Sequence, residues 1–254
     1  MNRKDFLKQT LLLGGALSFG GAYAFNHMNK LTDLKKYTDS LPKQSKRMPV
    51  LFTSHGNPMD IPISREERAF WMKLYHLGKE LKETYDVKAA LVVSAHWCTN
   101  DQTLVNNSLQ QKQIYDYYGF PEHYYDPKYN AHGSPEVAKE ISKLVTTIEE
   151  TDEWGLDHGA WPMLMHLFPN ADVPVFQMSI NYNAKPEYHF SHGQQLKSLR
   201  EKGVLVIGSG SLIHNLKLVM QKMRSGDRSI FGWEVEYDAW LKQQLEERNF
   251  KNLT

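Results

Sequence analysis

The chain has 254 residues, of which 41% are hydrophobic and 23% charged, with a formal net charge of +1. That length supplies a core for one substantial α/β domain or two small ones, and the near-neutral charge gives no electrostatic case for nucleic acid or an anionic membrane as partner. One cysteine, Cys98, excludes an intramolecular disulfide and a cysteine-based zinc cluster, whereas eleven histidines make imidazole the obvious ligand if a metal is bound.

Residues 1–24 read as an export signal. A basic segment with Arg3, Lys4 and Lys8 precedes an apolar run over residues 11–22, and Ala22-Tyr23-Ala24 offers a small-x-small cleavage site. The Arg3-Lys4 pair resembles a twin-arginine signal with one arginine replaced, which predicts export to the periplasm; an uncleaved tail on a cytoplasmic protein is the alternative. The apolar run is too short for a membrane span, so no stable membrane insertion is expected once the signal is removed. Residues 25–47 are polar and lysine-rich and read as a linker, and residues 48–254 read as the domain proper.

In the domain, residues 49–58 pair an apolar run with a turn carrying His55. Ser64 can cap a helix that continues to Tyr85, with Phe70, Leu74, Leu77 and Leu81 at helical spacing. The run Ala89 to Ser94 is a buried strand that ends in His96, and a short strand follows near Thr103 to Val105. Residues 113–135 are a long loop rich in Tyr and Phe, a composition that suits either an aromatic pocket wall or a packed surface loop. Ser134-Pro135-Glu136 opens a helix to about Thr147. Residues 149–153 read as an acidic turn, 161–168 as helix, 173–180 as strand and 188–202 as a polar helix whose His189 and His192 face solvent. The strand over 204–208 precedes a helix from about Leu212, and a charged helix over 234–248 ends the chain. Alternating strands and helices predict a three-layer α/β domain around a central, largely parallel or mixed sheet.

Three separate apolar runs thus deliver His55, His96 and His214 past their carboxyl ends, where ligands bind in open α/β sheets. Their convergence would surround a metal. His158, between Asp157 and Gly159, is a fourth candidate, as general acid or base or as a donor to a substrate oxygen. Cys98, beside Trp97, reads as a packed thiol. No Gly-x-Ser-x-Gly elbow, phosphate-cradling loop or His-Glu-x-x-His helix is present, and Ser209 or Ser211 would act as nucleophile only with a base at hydrogen-bonding distance.

Four motifs in order, His55-Gly56-Asn57-Pro58, Ser94-Ala95-His96-Trp97, Gly155-Leu156-Asp157-His158-Gly159 and His214-Asn215-Leu216, resemble those of the class III extradiol ring-cleavage dioxygenases, in the DOPA 4,5-dioxygenase-like branch. Tyr118-Gly119-Phe120-Pro121 and residues 174–180 share the likeness, which runs from about Met48 to Trp240. The resemblance implies Fe(II), with Zn(II) also accepted, and a small aromatic diol and O2 as substrates. It implies His55 and His96 as metal ligands, His214 as a further ligand or the acid/base beside the metal, and His158 as a catalytic contact to a catechol hydroxyl or bound oxygen. Members of the branch carry another metal-site histidine in a final segment, whereas residues 215–254 contain none. Two alternatives follow: a zinc-binding hydrolase or isomerase on the same scaffold, and an inactive, C-terminally short metal-binding homologue.

Overall fold

The computed structural model describes residues 46–227 and 229–253; the expected export signal and most of the linker lie outside the described residues. Six strands form one sheet in the order β1-β6-β2-β5-β3-β4. They are β1 (Val50–Thr53), β2 (Ala89–Thr99), β3 (Thr103–Asn106), β4 (Ile148–Thr151), β5 (Val175–Asn181) and β6 (Val204–Ser209). Strands β1, β6, β2 and β5 run parallel, β3 is antiparallel to β5, and β4 is parallel to β3. The sheet is therefore mixed, within an α/β fold. Its helices are α1 (Ala69–Thr84), α2 (Pro135–Leu144), α3 (Trp161–Leu167), α4 (Pro186–Gln195), α5 (Leu216–Ser225) and α6 (Gly232–Glu246).

The apolar run of β2 is buried on both faces because alternate side chains feed two cores. Ala90 and Val92 join α1, α3 and the aromatic loop on one face, with Trp71, Leu74, Trp161 and Leu164. Ala89 and Leu91 join Ala138 and Ile141 of α2 and Leu196 and Leu199 on the other. Helix α1 turns inward the stripe Trp71, Leu74, Gly78 and Leu81, with Phe70 left 37% exposed, and starts at Ala69 after a short 3-10 turn that follows Ser64. The stripe is displaced from the expected one because Gly78 is needed at the contact: a Cβ there would stand 1.8 Å from the Leu167 carbonyl of α3.

Four local expectations are corrected. The acidic segment after Val145 is not a turn but the edge strand β4, whose Glu149 and Glu150 are exposed while Ile148 is buried. His192 is buried rather than solvent-facing, because Thr147 Oγ1 lies 2.8 Å from its Nε2 and Tyr188 packs on its ring; His189 is part-buried, 3.1 Å from the Asn181 carbonyl. Cys98 is exposed rather than packed, at the point where β2 regains register with β5 after a bulge. The helix expected from Leu212 begins at Leu216, where Asn215 accepts the Leu218 N–H.

His166 of α3 stacks on Trp71 at 4.4 Å, and burial, aided by the Arg65 charge, lowers its pKa to about 4. The unfolded chain, with His166 near 6.5, therefore holds more protons than the folded one between these values, so this ring's contribution is complete above about pH 6.5 and is lost as the pH falls towards 4. His166→Phe, which keeps the stack, is expected to reduce the dependence of unfolding free energy on pH in that window. The ceiling is about 1.4 kcal/mol per pH unit, lessened because solvent reaches part of the ring. Urea titrations at pH 4.5, 5.5 and 7 measure the slope, and an unchanged slope would contradict the assignment.

Candidate metal centre

The carboxyl ends of β1, β6 and β2 lie side by side, with Thr53 and Ser94 both in register with Ser209. His55 follows β1 by two residues. Gly56 turns the chain there at φ 74°, and a Cβ on it would meet the Trp71 ring at 2.8 Å, so this turn needs glycine. Asn57 then accepts the Met59 N–H and anchors the next turn. His96 lies inside a bulge of β2: the strand advances from Val93 to Cys98 while β5 advances only from Met178 to Ile180. A bulge beside a site re-aims side chains, and this one turns the His96 imidazole towards His55.

His158 is carried by the segment between β4 and α3 and is fastened through its neighbour. The Asp157 carboxylate is fully buried and accepts from Ser94 Oγ (2.7 Å), Gln177 Nε2 (2.8 Å), Gly159 N (3.0 Å) and Trp154 Nε1 (3.2 Å). Burial pushes its pKa up against the bonds from Gln177, Ser94 and Trp154, which hold the charged form. Gly159 lets the segment close on β2: a Cβ there would meet Ser94 Oγ at 2.3 Å and His96 Cδ2 at 2.9 Å.

His55, His96 and His158 each offer a ring nitrogen, all within 4.8 Å of one another. The Nε2 atoms of His55 and His96 are 3.1 Å apart, and two nitrogens about 2.1 Å from one ion stand about 3.0–3.4 Å apart at octahedral or tetrahedral angles. Burial, then the neighbouring His96 and His158 charges, lowers the His55 pKa to about 4; burial and His158 lower that of His96 too. Both rings are neutral at pH 7 and keep lone pairs, so the pair fits a divalent ion such as iron or zinc.

Ser209 sets which nitrogen of His55 faces inward. Its Oγ donates to the Gly159 carbonyl and lies 3.0 Å from His55 Nδ1, so it accepts Nδ1–H and leaves the Nε2 lone pair towards His96. The serine considered as a nucleophile thus has a histidine in reach but serves as that ring's support. Ser209→Ala is expected to weaken metal binding about 10–100-fold; chelator competition measures it, and unchanged affinity would remove Ser209 from the site.

Asp116, which sequence reasoning missed, lies behind the other two rings. Its Oδ1 is 2.9 Å from His158 Nδ1, not aligned as a hydrogen bond, and accepts the His158 backbone N–H at 2.8 Å; Oδ2 is 3.4 Å from His96 Nδ1. Burial works to raise the Asp116 pKa, but the His158 contacts outweigh it and hold it below the usual carboxylate range. His214 is exposed after β6 and outside the three-histidine group, although close enough for its charge to be felt at His55 and His96. The loop expected as a pocket wall packs around this centre: Tyr117 is buried, with its ring edge-on to His158 at 5.6 Å, and joins Tyr115, Phe120 and Tyr125.

Residues 49–254 match the family described as the catalytic LigB subunit of aromatic ring-opening dioxygenase. The chain belongs to this family. It is an extradiol ring-cleaving dioxygenase by that membership and by its relatives. It is 36% identical to the 4,5-DOPA dioxygenase extradiol of Escherichia coli K12, over 79% of this chain and 72% of that one. To the Beta vulgaris enzyme of the same name it is 35% identical, over 80% and 74%. A crystal structure of an uncharacterized Escherichia coli K12 protein superimposes with TM-score 0.63 at 32% identity, covering 78% of this chain and 73% of that one. The four motifs of this dioxygenase bring three of their histidines together at the sheet ends and leave the fourth, His214, at the rim.

Proposed function

We propose that this dioxygenase opens the ring of a catechol, DOPA or a close analogue, beside its diol, with Fe(II) as the metal held by His55 and His96. The observation that carries the reading is the 3.1 Å approach of their Nε2 atoms under an aromatic loop. Fe(II) would supply open positions at which a catecholate and O2 are held together.

The chain's own residues do the rest. His158, with Nδ1 against the Asp116 carboxylate, takes a catechol hydroxyl proton at its other ring nitrogen and returns it later; the carboxylate steadies the imidazolium in between. Tyr117 limits water at that ring and offers an edge to a flat substrate. His214 acts from the rim as a further metal ligand or as an acid/base. In His214→Ala, lost metal assigns it to the ion, lost turnover with metal kept assigns it to proton transfer, and wild-type behaviour removes it from the site. Residues 1–24 direct export to the periplasm, which the amino-terminal sequence of the mature protein tests.

Loading the protein with Fe(II) or Zn(II) and supplying DOPA under labelled oxygen tests the reaction. The expected result is a ring-opened product carrying both oxygen atoms with iron and none with zinc. Turnover of another kind with zinc, and no ring opening with iron, would favour the hydrolase or isomerase alternative.

A further inference from the structure

We infer that Asp116 is the positioning residue that couples the aromatic loop to the metal centre, one carboxylate facing the Nδ1 edges of His96 and His158 from the segment that covers the site. This rests on the metal reading above. Asp116 stands between Tyr115 and Tyr117, and the chain just before it is anchored at the base of the loop: Ile114 N–H donates to the Leu156 carbonyl at 2.8 Å, Leu156 N–H donates to that of Lys112 at 2.7 Å, and Trp161 Nε1 donates to that of Ile114 at 3.1 Å. The main-chain contact to the carboxylate itself is the His158 N–H. Its oxygens divide between two imidazoles whose centroids are 3.9 Å apart.

A negative charge at both Nδ1 edges favours hydrogen on Nδ1; it leaves the His96 Nε2 lone pair free for an ion, as outer carboxylates do for metal-binding histidines, and that of His158 free to take a proton. The same carboxylate accepts the His158 backbone N–H at 2.8 Å, so it cannot move without shifting the segment on which His158 rides. It carries Tyr117 as its chain neighbour, and the Tyr117 ring meets His158 edge-on at 5.6 Å. Because Asp116 faces both rings from within residues 113–120, order in this loop and metal binding by His96 would favour each other; such coupling is reciprocal.

Wild type and Asp116→Asn, each titrated with Co(II), read this directly through the visible spectrum and hydrogen exchange over residues 113–120. Asparagine keeps the size but presents an amide N–H to one of the two imidazole edges. The expected result is slowed exchange of the loop on Co(II) binding in wild type. In Asp116→Asn the dissociation constant should rise about 10–100-fold, with an altered spectrum and no slowing. Should that variant not fold, Asp116→Glu, which keeps the charge but displaces it by a methylene, is expected to show the same loss of coupling. A variant with wild-type affinity, spectrum and loop protection would overturn the inference and leave the metal reading standing. Failure of the wild type itself to take up Co(II) would overturn both.

Discussion

His55→Ala and His96→Ala are each expected to abolish metal retention and ring opening together. The two Nε2 atoms sit 3.1 Å apart, one from the turn after β1 and one from β2, so either change leaves half of this donor pair with only His158 of the three-histidine group beside it. The loss should exceed the roughly 100-fold that removal of an outer supporting residue costs, and turnover should fall to background. Metal content after desalting and a chelator titration measure the first effect; product absorbance measures the second. Both variants should stay folded, because the imidazoles contribute little to either core. Tight metal binding in both variants would mean that the ion is held elsewhere.

The largest expected effect on stability belongs to Asp157→Ala. Four donors from β2, β5 and its own segment converge on this fully buried carboxylate. Removing it leaves Ser94 Oγ, Gln177 Nε2, Trp154 Nε1 and Gly159 N to lose a partner inside the protein, at a cost of about 3–5 kcal/mol. For a chain of this size that is a fall of roughly 10 °C in melting temperature. Asp157→Asn keeps the volume and one acceptor but sets its own N–H groups against donors, so a smaller loss is expected. A melting temperature within about 2 °C of wild type for the alanine variant would show that water replaces these bonds.

The parts of the fold that were legible in the sequence are those that a buried parallel sheet writes strongly. Continuous apolar runs identify β2, β5 and β6, and a histidine shortly past such a run marks the sheet's carboxyl end. His55 and His96 meet for that reason. Strand β4 was not legible because this edge strand carries a single apolar residue, Ile148, followed by three polar ones, a pattern that a turn imitates. The bulge in β2 leaves no compositional mark, so neither the aim of His96 nor the exposure of Cys98 followed from spacing. His192 sits in a polar stretch, yet Thr147, some 45 positions earlier in the chain, meets its ring and allows burial.

Asp116 illustrates the same limit at the site. An acid between two tyrosines in a loop without a period resembles any surface carboxylate, and only the folded chain brings it behind His96 and His158. Its position next to the Tyr118-Gly119-Phe120-Pro121 segment was the available signal, because a functional loop rooted beside a centre is a natural source of an outer carboxylate. His214 shows the converse: its motif was conspicuous, yet the structure leaves it exposed at the rim.

The most direct test of the account is oxygen uptake by the Fe(II)-loaded protein on mixing with DOPA and simpler catechols, with the yellow ring-opened product followed in parallel and His158→Gln run beside the wild type. The account predicts one O2 consumed per ring opened by the wild type. His158→Gln should keep its iron and lose about 10²–10⁴-fold in rate, the usual contribution of a positioned acid or base. Iron retained by the wild type without oxygen uptake on any catechol, or equal rates for the two proteins, would contradict it.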